Sequence, residues 1–455
     1  MSTDATLINK EMSEVRTTGT GAHYLIQVQL LVNKQWLKPI KLDTYTVDRD
    51  YEGGYADVRV LSFMMLLGVY TFDMLPYRND IQVDVTYIPL GENGGGQRSD
   101  KRSFTRRYRG MLMDPSDASM TTNVSNQGSK TQLDNQPPKQ VEIQLMEEYV
   151  YDLQMRSVGG KYRNMTAYDV LLAVLNKSTT YMEAKDEKRI LGVHPVGIAN
   201  AERRTQIVIP HGTKIGKVPT VLQEDEGGVF SAGLGCYLQD QYWFVFPLYD
   251  TAHASKKKRT VTIYCVPSDR FDGSEKTYRE TDNRLVILAS GDAASLNLTD
   301  NTHIQSGNGL RFLDARKILN GFAVNNGNRM LIDKASNLFE MAAKTITEGV
   351  NNIQWSAKPV SGNPFVHYSA MARMNGRIQT VQWRHGDGDL IQPGELVDFY
   401  AIAEGKINLF KGVVLGTQES RAAAEPGMAV TRHHGIVSIK LFLENPTPTP
   451  ATTGA

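Results

Sequence analysis

The sequence predicts a β-rich α+β fold in which two β-barrel modules flank and enclose a mixed α+β insert. Near both ends of the chain, short runs alternate apolar and polar residues, as at residues 25–32 and 81–87. In the middle, apolar residues at helical spacing follow Thr166. The same region contains two apolar runs, residues 234–238 and 242–248, that are separated by a short polar stretch and are typical of a β-hairpin.

The composition is that of an ordinary globular protein. The 455 residues are 41% hydrophobic and 22% charged, with a formal net charge of +1. This balance gives no support to bulk nucleic-acid or membrane binding. The start of the chain lacks a signal-peptide pattern, so we expect a protein made in a cytoplasm. Cys236 and Cys265 are therefore expected to be buried free thiols.

The first third of the chain is predicted to be an arm followed by strands. Residues 1–21 are polar and lack periodicity, which predicts a flexible N-terminal arm. Residues 22–150 are predicted to form the first β-barrel module. Its expected strands lie near residues 25–32, 37–42, 58–67, 81–87, 107–113 and 141–146.

Residues 151–255 are predicted to form a mixed α+β domain that contains the aromatic hairpin. Thr166 is expected to cap a helix, with Asp169 in its first turn. The second hairpin strand, residues 242–246, is apolar at every position, which predicts a strand covered on both faces. The cover is either the rest of the chain or another chain.

The last part of the chain is predicted to be mostly strands. Residues 256–350 form a second β region with a helix at 333–350, where apolar residues recur at helical spacing. Residues 351–444 form a C-terminal β module with a type II turn at 392–395, and residues 445–455 form a disordered tail.

No catalytic motif emerges, so we expect no enzymatic activity, no cofactor and no metal. His433 and His434 are adjacent, and adjacent strand residues face opposite sides, so they are expected to be solvated rather than to share a metal. Asp387 and Asp389, beside His385, lack the order of a calcium-binding loop and are interpreted as a polar turn.

Two basic clusters could contact nucleic acid or other subunits. The second lies at residues 256–259, and the first comprises Arg98, Lys101, Arg102, Arg106, Arg107 and Arg109. Acidic stretches at 142–152 and 224–226 offset them. Mixed patches on a nearly neutral protein favour docking between proteins.

Several stretches resemble one family, the baseplate hub proteins of contractile-tailed bacteriophages. The central one is GLGCYLQDQYWFVFPLY, residues 233–249. The resemblance also rests on residues 25–32, 47–52, 57–67, 75–77, 81–87, 168–172, 394–397 and 409–416, so it touches most of the chain.

This resemblance implies a virion structural protein. Such a hub is a homotrimer with two tail-tube-like β-barrels per subunit, forming a ring that joins the tail tube to the central spike. The implied partners are the chain itself, the tail tube protein, the central spike protein and baseplate wedge proteins. The resemblance implies no membrane contact, nucleic acid only as the passing genome, a place in the tail baseplate, and assembly in the cytoplasm of the bacterial host.

Five residues are predicted to lie at subunit interfaces. Closing a ring between subunits removes open sheet edges, and strands that are apolar on both faces suit such contacts. The candidates are Val60, Phe63, Met65, Trp243 and Phe244.

Three alternatives stay open. The chain is another tail component, such as a distal-tail protein, a wedge protein or a tube initiator. Less favoured is a carbohydrate-binding or carbohydrate-active β-rich protein that uses Trp243, Trp355 or Trp383 as stacking platforms. The third is a nucleic-acid binder that uses the basic residues 102–109.

Overall fold

The computed structural model describes residues 2–91, 102–113, 130–180, 189–197, 199–253, 259–267, 275–290, 295–296, 311–313, 329–333, 338–342, 364–374, 376–403, 406–423 and 432–444. The α-helices are α1 Ser2–Thr18, α2 Lys130–Asp134, α3 Glu148–Gln154, α4 Ala167–Thr180, α5 Val218–Glu224 and α6 Pro364–Met374. Short 3-10 helices lie at Leu75–Tyr77, Ile215–Lys217 and Gly388–Leu390, and a π-helix lies at Val69–Met74.

The strands are distributed along the whole described chain and confirm the predicted β-rich α+β class. They are β1 His23–Val32, β2 Gln35–Leu37, β3 Lys41–Asp50, β4 Val58–Met65, β5 Ile81–Pro89, β6 Phe104–Leu112, β7 Lys139–Met146, β8 Ser157–Met165, β9 Gly192–Pro195, β10 Arg204–Lys214, β11 Leu234–Gln239, β12 Tyr242–Pro247, β13 Thr260–Val266, β14 Tyr278–Thr281, β15 Arg284–Ser290, β16 Ser295–Leu296, β17 Arg311–Leu313, β18 Arg329–Asp333, β19 Leu338–Ala342, β20 Gly376–Arg384, β21 Leu396–Ala403, β22 Lys406–Ala423 and β23 His433–Glu444.

Strand pairing returns on itself twice in the large sheet. The first circuit runs β22-β3-β4-β7-β6-β5-β1-β23 and closes because β23 pairs with β22. The second circuit runs β22-β21-β13-β15-β20-β23 and closes through the same pair. Pairing thus crosses the predicted boundaries: the strands of residues 22–150 join a circuit only together with two C-terminal strands.

The long strand β22 belongs to both circuits. One edge pairs first with β21, from Lys406 to Val413, and then with β3, from Gly416 to Ala422. Its other edge pairs with β23, with a register shift between Val414 and Gly416. A bulge of this kind bends a strand, which lets one strand leave one neighbour and join another.

The aromatic hairpin lies between two hydrophobic cores. Its turn is tight, and Asp240 and Gln241 both have positive φ, as a two-residue type I′ hairpin requires. Tyr237 and Phe246 pack in the core of the two circuits, whereas Trp243 packs in the core of the insert that contains α4, α5, β8 and β10. The rest of the chain therefore covers both faces of the hairpin.

The predicted flexible arm, residues 1–21, is wrong, because α1 occupies most of it. Ile8, Met12 and Val15 recur at helical spacing and are buried against β13 and β15. Glu11 accepts hydrogen bonds from the Arg284 guanidinium at 2.6 and 2.9 Å. The short apolar stripe gains its stability from a distant part of the chain, which local composition does not reveal.

We expect Ile8→Ala to loosen α1 from the second circuit. Loss of a buried isoleucine costs about 2 kcal/mol or more, which corresponds to roughly thirtyfold faster opening of the helix. Hydrogen exchange of the α1 amides would measure it. Ile40→Ala removes the same side chain at a site that is 42% exposed and serves as the control. Equal exchange rates in both variants would contradict the docking.

The predicted helix at residues 333–350 is also corrected. Residues 338–342 form β19, which pairs with β17 and β18. Non-local strand pairing outweighs helical spacing here. Residues 343–350 and the predicted tail lie outside the described residues. Other local predictions are confirmed: Thr166 caps α4 by accepting from the Asp169 amide at 3.0 Å, and Gly394, with φ of 72°, completes the turn at 392–395.

Candidate functional site

The predicted interface residues of β4 divide between the two faces of the strand. Phe63 and Met65 are 0% and 1% exposed and point into the core of the circuits, so neither has free surface in the single chain, and their place at a subunit interface stays a prediction. Neighbouring strands of the same chain cover them. Val60 is half-buried and lies on the outward face with Met64, and Val58 at the start of that face is 46% exposed.

The hairpin candidates are also covered by their own chain to different extents. Trp243 is fully buried in the insert core and has no free surface in the single chain, so its place at an interface stays a prediction. Phe244 is half-buried, and its ring lies 5.5 Å from that of His194. Of the five candidates, Val60 and Phe244 keep exposed surface.

Sequence reasoning missed a buried ionic junction where the first circuit meets the hairpin and the turn after β20. We define it by four arginines and five carboxylates: Arg49, Arg59, Arg106, Arg421, Asp57, Glu147, Asp387, Asp389 and Glu419. The available signal was the presence of charges inside otherwise strand-forming segments, because lone buried charges are rarely tolerated without partners.

Arg49 is the centre of the ionic junction. Its side chain has no exposed surface, and its Nε donates to Asp57 at 3.0 Å. Its Nη2 binds Asp389, and its Nη1 lies 3.9 Å from Glu419. Burial opposes charge on Asp389, but Arg49 and Arg106 outweigh it and hold the pKa of Asp389 well below its usual value. Asp389 is therefore an anion in the folded chain.

Arg59 connects β4 to the insert. Its Nη2 donates to Asp57 at 2.5 Å and lies 3.7 Å from Glu147, the residue before α3. Asp57 in turn accepts from the hydroxyl of Tyr237 in the hairpin at 3.1 Å. Burial raises the pKa of Glu147 despite the nearby Arg59. These contacts fix the orientation of the insert against the first circuit.

Arg421 extends the ionic junction along β22. It binds Glu419, lies 3.7 Å from Asp387, and stands over the ring of Tyr24 on β1 at 4.6 Å. The Tyr24 hydroxyl donates to Asp387 at 3.0 Å. The carboxylates of the turn at 387–389 thus have arginine partners.

Four of the five described arginines of the basic clusters make contacts inside the chain, whereas the fifth, Arg102, is exposed. Arg106 lies 3.3 Å from Asp389, and Arg107 binds Asp84 at 2.7 and 2.8 Å. Arg109 lies over the Tyr151 ring at 4.0 Å, and Arg259 donates to Glu395 at 2.5 Å. These contacts oppose a continuous nucleic-acid-binding stripe; Arg98, Lys101 and residues 256–258 lie outside the described residues.

The two proposed carbohydrate platforms that the structure describes are not exposed. Trp243 and Trp383 are both 0% exposed, and the Trp383 indole donates to Thr277 at 3.1 Å. A buried indole cannot stack on a sugar, so this reading is wrong for both residues. Trp355 lies outside the described residues.

Two further sequence expectations have clear outcomes. Cys236 and Cys265 are free and buried, as predicted, and burial raises the pKa of Cys265 to about 11. In the described part of the chain, no helix combines the length and hydropathy needed to cross a bilayer.

Several solved structures of tail proteins are similar to this chain. No protein-family model and no curated protein sequence matches it. A tail protein from Neisseria meningitidis MC58 aligns with 13% identity and a TM-score of 0.42, over 92% of this chain and 97% of that one. The 43 kDa tail protein of prophage MuSo2 from Shewanella oneidensis aligns with 9% identity and a TM-score of 0.44, over 91% and 98%.

A chain of the p2 virion baseplate in its activated conformation aligns with 10% identity and a TM-score of 0.32, over 93% of this chain and 100% of that one. These solved structures are tail and baseplate components, and the predicted resemblance to this group of proteins is confirmed. At such TM-scores the likeness transfers no residue role, partner or assembly to this chain.

Proposed function

We propose that this chain is a baseplate hub subunit of a phage virion, a non-enzymatic structural protein that forms a trimeric ring. The observation that carries this proposal is the pair of closed pairing circuits that share β22 and β23. Closure removes open sheet edges that would otherwise template further pairing. In this proposal each circuit is one tail-tube-like barrel, so three chains present six similar modules around a channel.

Such a ring would suit a junction between two symmetries. Six modules match a sixfold tail tube on one side, while three identical chains match a threefold central spike on the other. The proposed partners are therefore further copies of the chain, the tail tube protein, the central spike protein and wedge proteins. The ring would assemble in the host cytoplasm, sit in the tail baseplate without membrane contact, and let the genome pass.

The sharing of strands supports a rigid subunit. Because β22 and β23 belong to both circuits, one circuit cannot rotate against the other without breaking backbone hydrogen bonds. The ionic junction adds charged contacts between the first circuit and the hairpin. A rigid double module is what a ring of fixed diameter needs.

The outward face of β4 is our proposed subunit contact. Val58, Val60 and Met64 lie on this face, with the buried polar Ser62 between Val60 and Met64. We expect Val60→Glu to weaken assembly by at least about tenfold, because a carboxylate would be desolvated in the contact, while the chain stays folded. Gln82→Glu, on the outward face of β5 across the first circuit, is the control.

Light scattering after size exclusion would measure the molar mass of each variant as a function of concentration. Circular dichroism would check that each variant is folded. A trimer from the wild type and the Gln82 variant, with dissociation of the Val60 variant, is expected. An unchanged Val60 trimer would place the contact elsewhere. A wild-type monomer would favour another tail component.

A further inference from the structure

Three histidines from distant parts of the sequence meet where the first circuit closes. His23 begins β1, His434 is its register partner on β23, and His385 follows β20. One ring nitrogen from each lies within 4.8 Å of the others. The ring centroids of His23 and His385 are 4.8 Å apart, and those of His385 and His434 are 5.6 Å apart.

His433 is not part of this histidine cluster. Its Nδ1 lies 3.4 Å from the amide of Ile26, on the other side of β23. The two adjacent histidines thus face opposite sides of the strand, but the expectation that they are solvated is wrong, because His433 is 3% exposed and His434 is half-buried. What sequence reasoning missed is that His434 finds its neighbours on other strands.

His23 lacks the partners that a buried imidazole normally has. It is 4% exposed, its Nδ1 makes no hydrogen bond with a described residue, and its Nε2 faces Glu275. The Nδ1 atoms of His385 and His434 are likewise buried without a hydrogen bond. Each unsatisfied buried polar group costs about 1–3 kcal/mol, so three together at one place call for a missing ligand.

We propose that His23, His385 and His434 bind one divalent transition-metal ion, with Zn²⁺ as the best fit. Imidazole nitrogens are common zinc ligands, and three of them with one further ligand complete a tetrahedral site. Nitrogens bound at 2.0–2.1 Å in such a site are about 3.3 Å apart, so nitrogens that now lie up to 4.8 Å apart need to approach by up to about 1.5 Å.

The surroundings supply a fourth ligand. Glu275 places a carboxylate oxygen 3.8 Å from His23 Nε2, and it also lies 3.5 Å from Arg432, so either this carboxylate or water completes the site.

The ion would stabilise the pairing of β1 with β23, which is short. β1 and β23 pair through only two residue pairs, His23 with His434 and Tyr24 with His433. A metal bound to both strands and to the turn after β20 would hold this closure, at no cost to the surface available for partners. The site is independent of the proposed role in a baseplate.

The test uses the full chain without a histidine tag, freed of metal by chelator and then titrated with Co²⁺ and Zn²⁺. We expect one ion per chain, the visible absorption of tetrahedral Co²⁺, and a higher Tm with Zn²⁺. His23→Gln and His434→Gln should each weaken Co²⁺ binding by at least about 100-fold, since even outer-shell changes cost 10–100-fold. His211→Gln, at an exposed position in β10, should bind as the wild type does.

Absence of Co²⁺ and Zn²⁺ binding by the wild type would overturn the proposal, as would an unchanged Co²⁺ affinity in both variants. His385→Asn is the variant for the third ligand, because His385 has φ of 51° and asparagine tolerates that backbone conformation. X-ray absorption of the wild-type zinc complex gives an answer without any variant. Imidazole scattering is expected, and a shell of oxygen ligands alone would contradict the site.

Discussion

Replacing Arg49 by methionine is expected to lower the free energy of unfolding by about 3–5 kcal/mol, because it leaves buried carboxylates without their cation. Arg49 has no exposed surface and contacts Asp57, Asp389 and Glu419. Methionine keeps much of the apolar stem, so the loss reports charge rather than volume. Chemical denaturation followed by tryptophan fluorescence would measure it, since Trp243 and Trp383 are both buried.

Arg107→Met is the matched control for Arg49→Met. Arg107 also binds an aspartate through two hydrogen bonds, but its side chain is 49% exposed, so the expected loss is below about 1 kcal/mol. Equal losses of unfolding free energy in the two variants would show that burial does not increase the contribution of the ionic junction to stability.

The effect of Arg49→Met should also depend on pH in a defined direction. Arginines hold the pKa of Asp389 below its ordinary value of 3.8, so its charge stabilises the native chain above that pH and the stabilisation fades as the pH falls toward the lowered pKa. The Arg49→Met variant lacks much of this stabilisation by the Asp389 charge. The difference between wild type and variant should therefore shrink on acidification below about pH 4.

Truncating Phe63 to alanine is expected to cost about 3–5 kcal/mol, the usual loss for a fully buried aromatic side chain. Phe63 is 0% exposed in the core of the circuits. The same denaturation measurement applies, performed at a concentration where the chain is monomeric so that folding is separated from assembly. Phe72→Ala, at a position that is 40% exposed, should cost far less.

The comparison of Phe63→Ala with Phe72→Ala also distinguishes a core role of Phe63 from a role in a subunit contact. If Phe63 lay in a subunit contact, the alanine variant would keep its monomer stability and lose only its assembly. A variant with unchanged unfolding and reduced assembly would therefore contradict the burial described here.

Local structure could be predicted where short-range chemistry decides it. Alternation fixed the β1 and β5 predictions because each strand has one face in the core, with the burial pattern that alternation implies. Turn chemistry did the same at Gly394, whose positive φ suits glycine. The hairpin was found from its aromatic strands even though Asp240 and Gln241 are not the usual pair for its turn.

Long-range pairing could not be predicted in the same way. The sequence indicates a strand at residues 407–415, but β22 continues to Ala423. The second half of β22 has three polar residues on its buried face, Thr417, Glu419 and Arg421. Polar residues at these positions predict a loop, because the charged residues that pair with them lie far away in the sequence. The ionic junction and the sharing of β22 between the circuits could therefore not be predicted, because both depend on contacts between residues that are distant in the sequence.

Three of the five interface candidates are buried in the single chain for a related reason. A strand that is apolar on both faces must be covered on both, but the sequence does not say by what. Phe63, Met65 and Trp243 are covered within the chain, whereas Val60 and Phe244 keep some exposed surface. The histidine cluster, in the same way, became visible only when β1, β20 and β23 were placed together.

The most direct test of the hub proposal is the mass and shape of the purified wild-type assembly. Native mass spectrometry should give three copies of the 50.7 kDa chain, and negative-stain averages should show a ring with a central opening and six peripheral densities of similar size. A particle that stays monomeric at every accessible concentration, or a compact oligomer without an opening, would contradict the proposal.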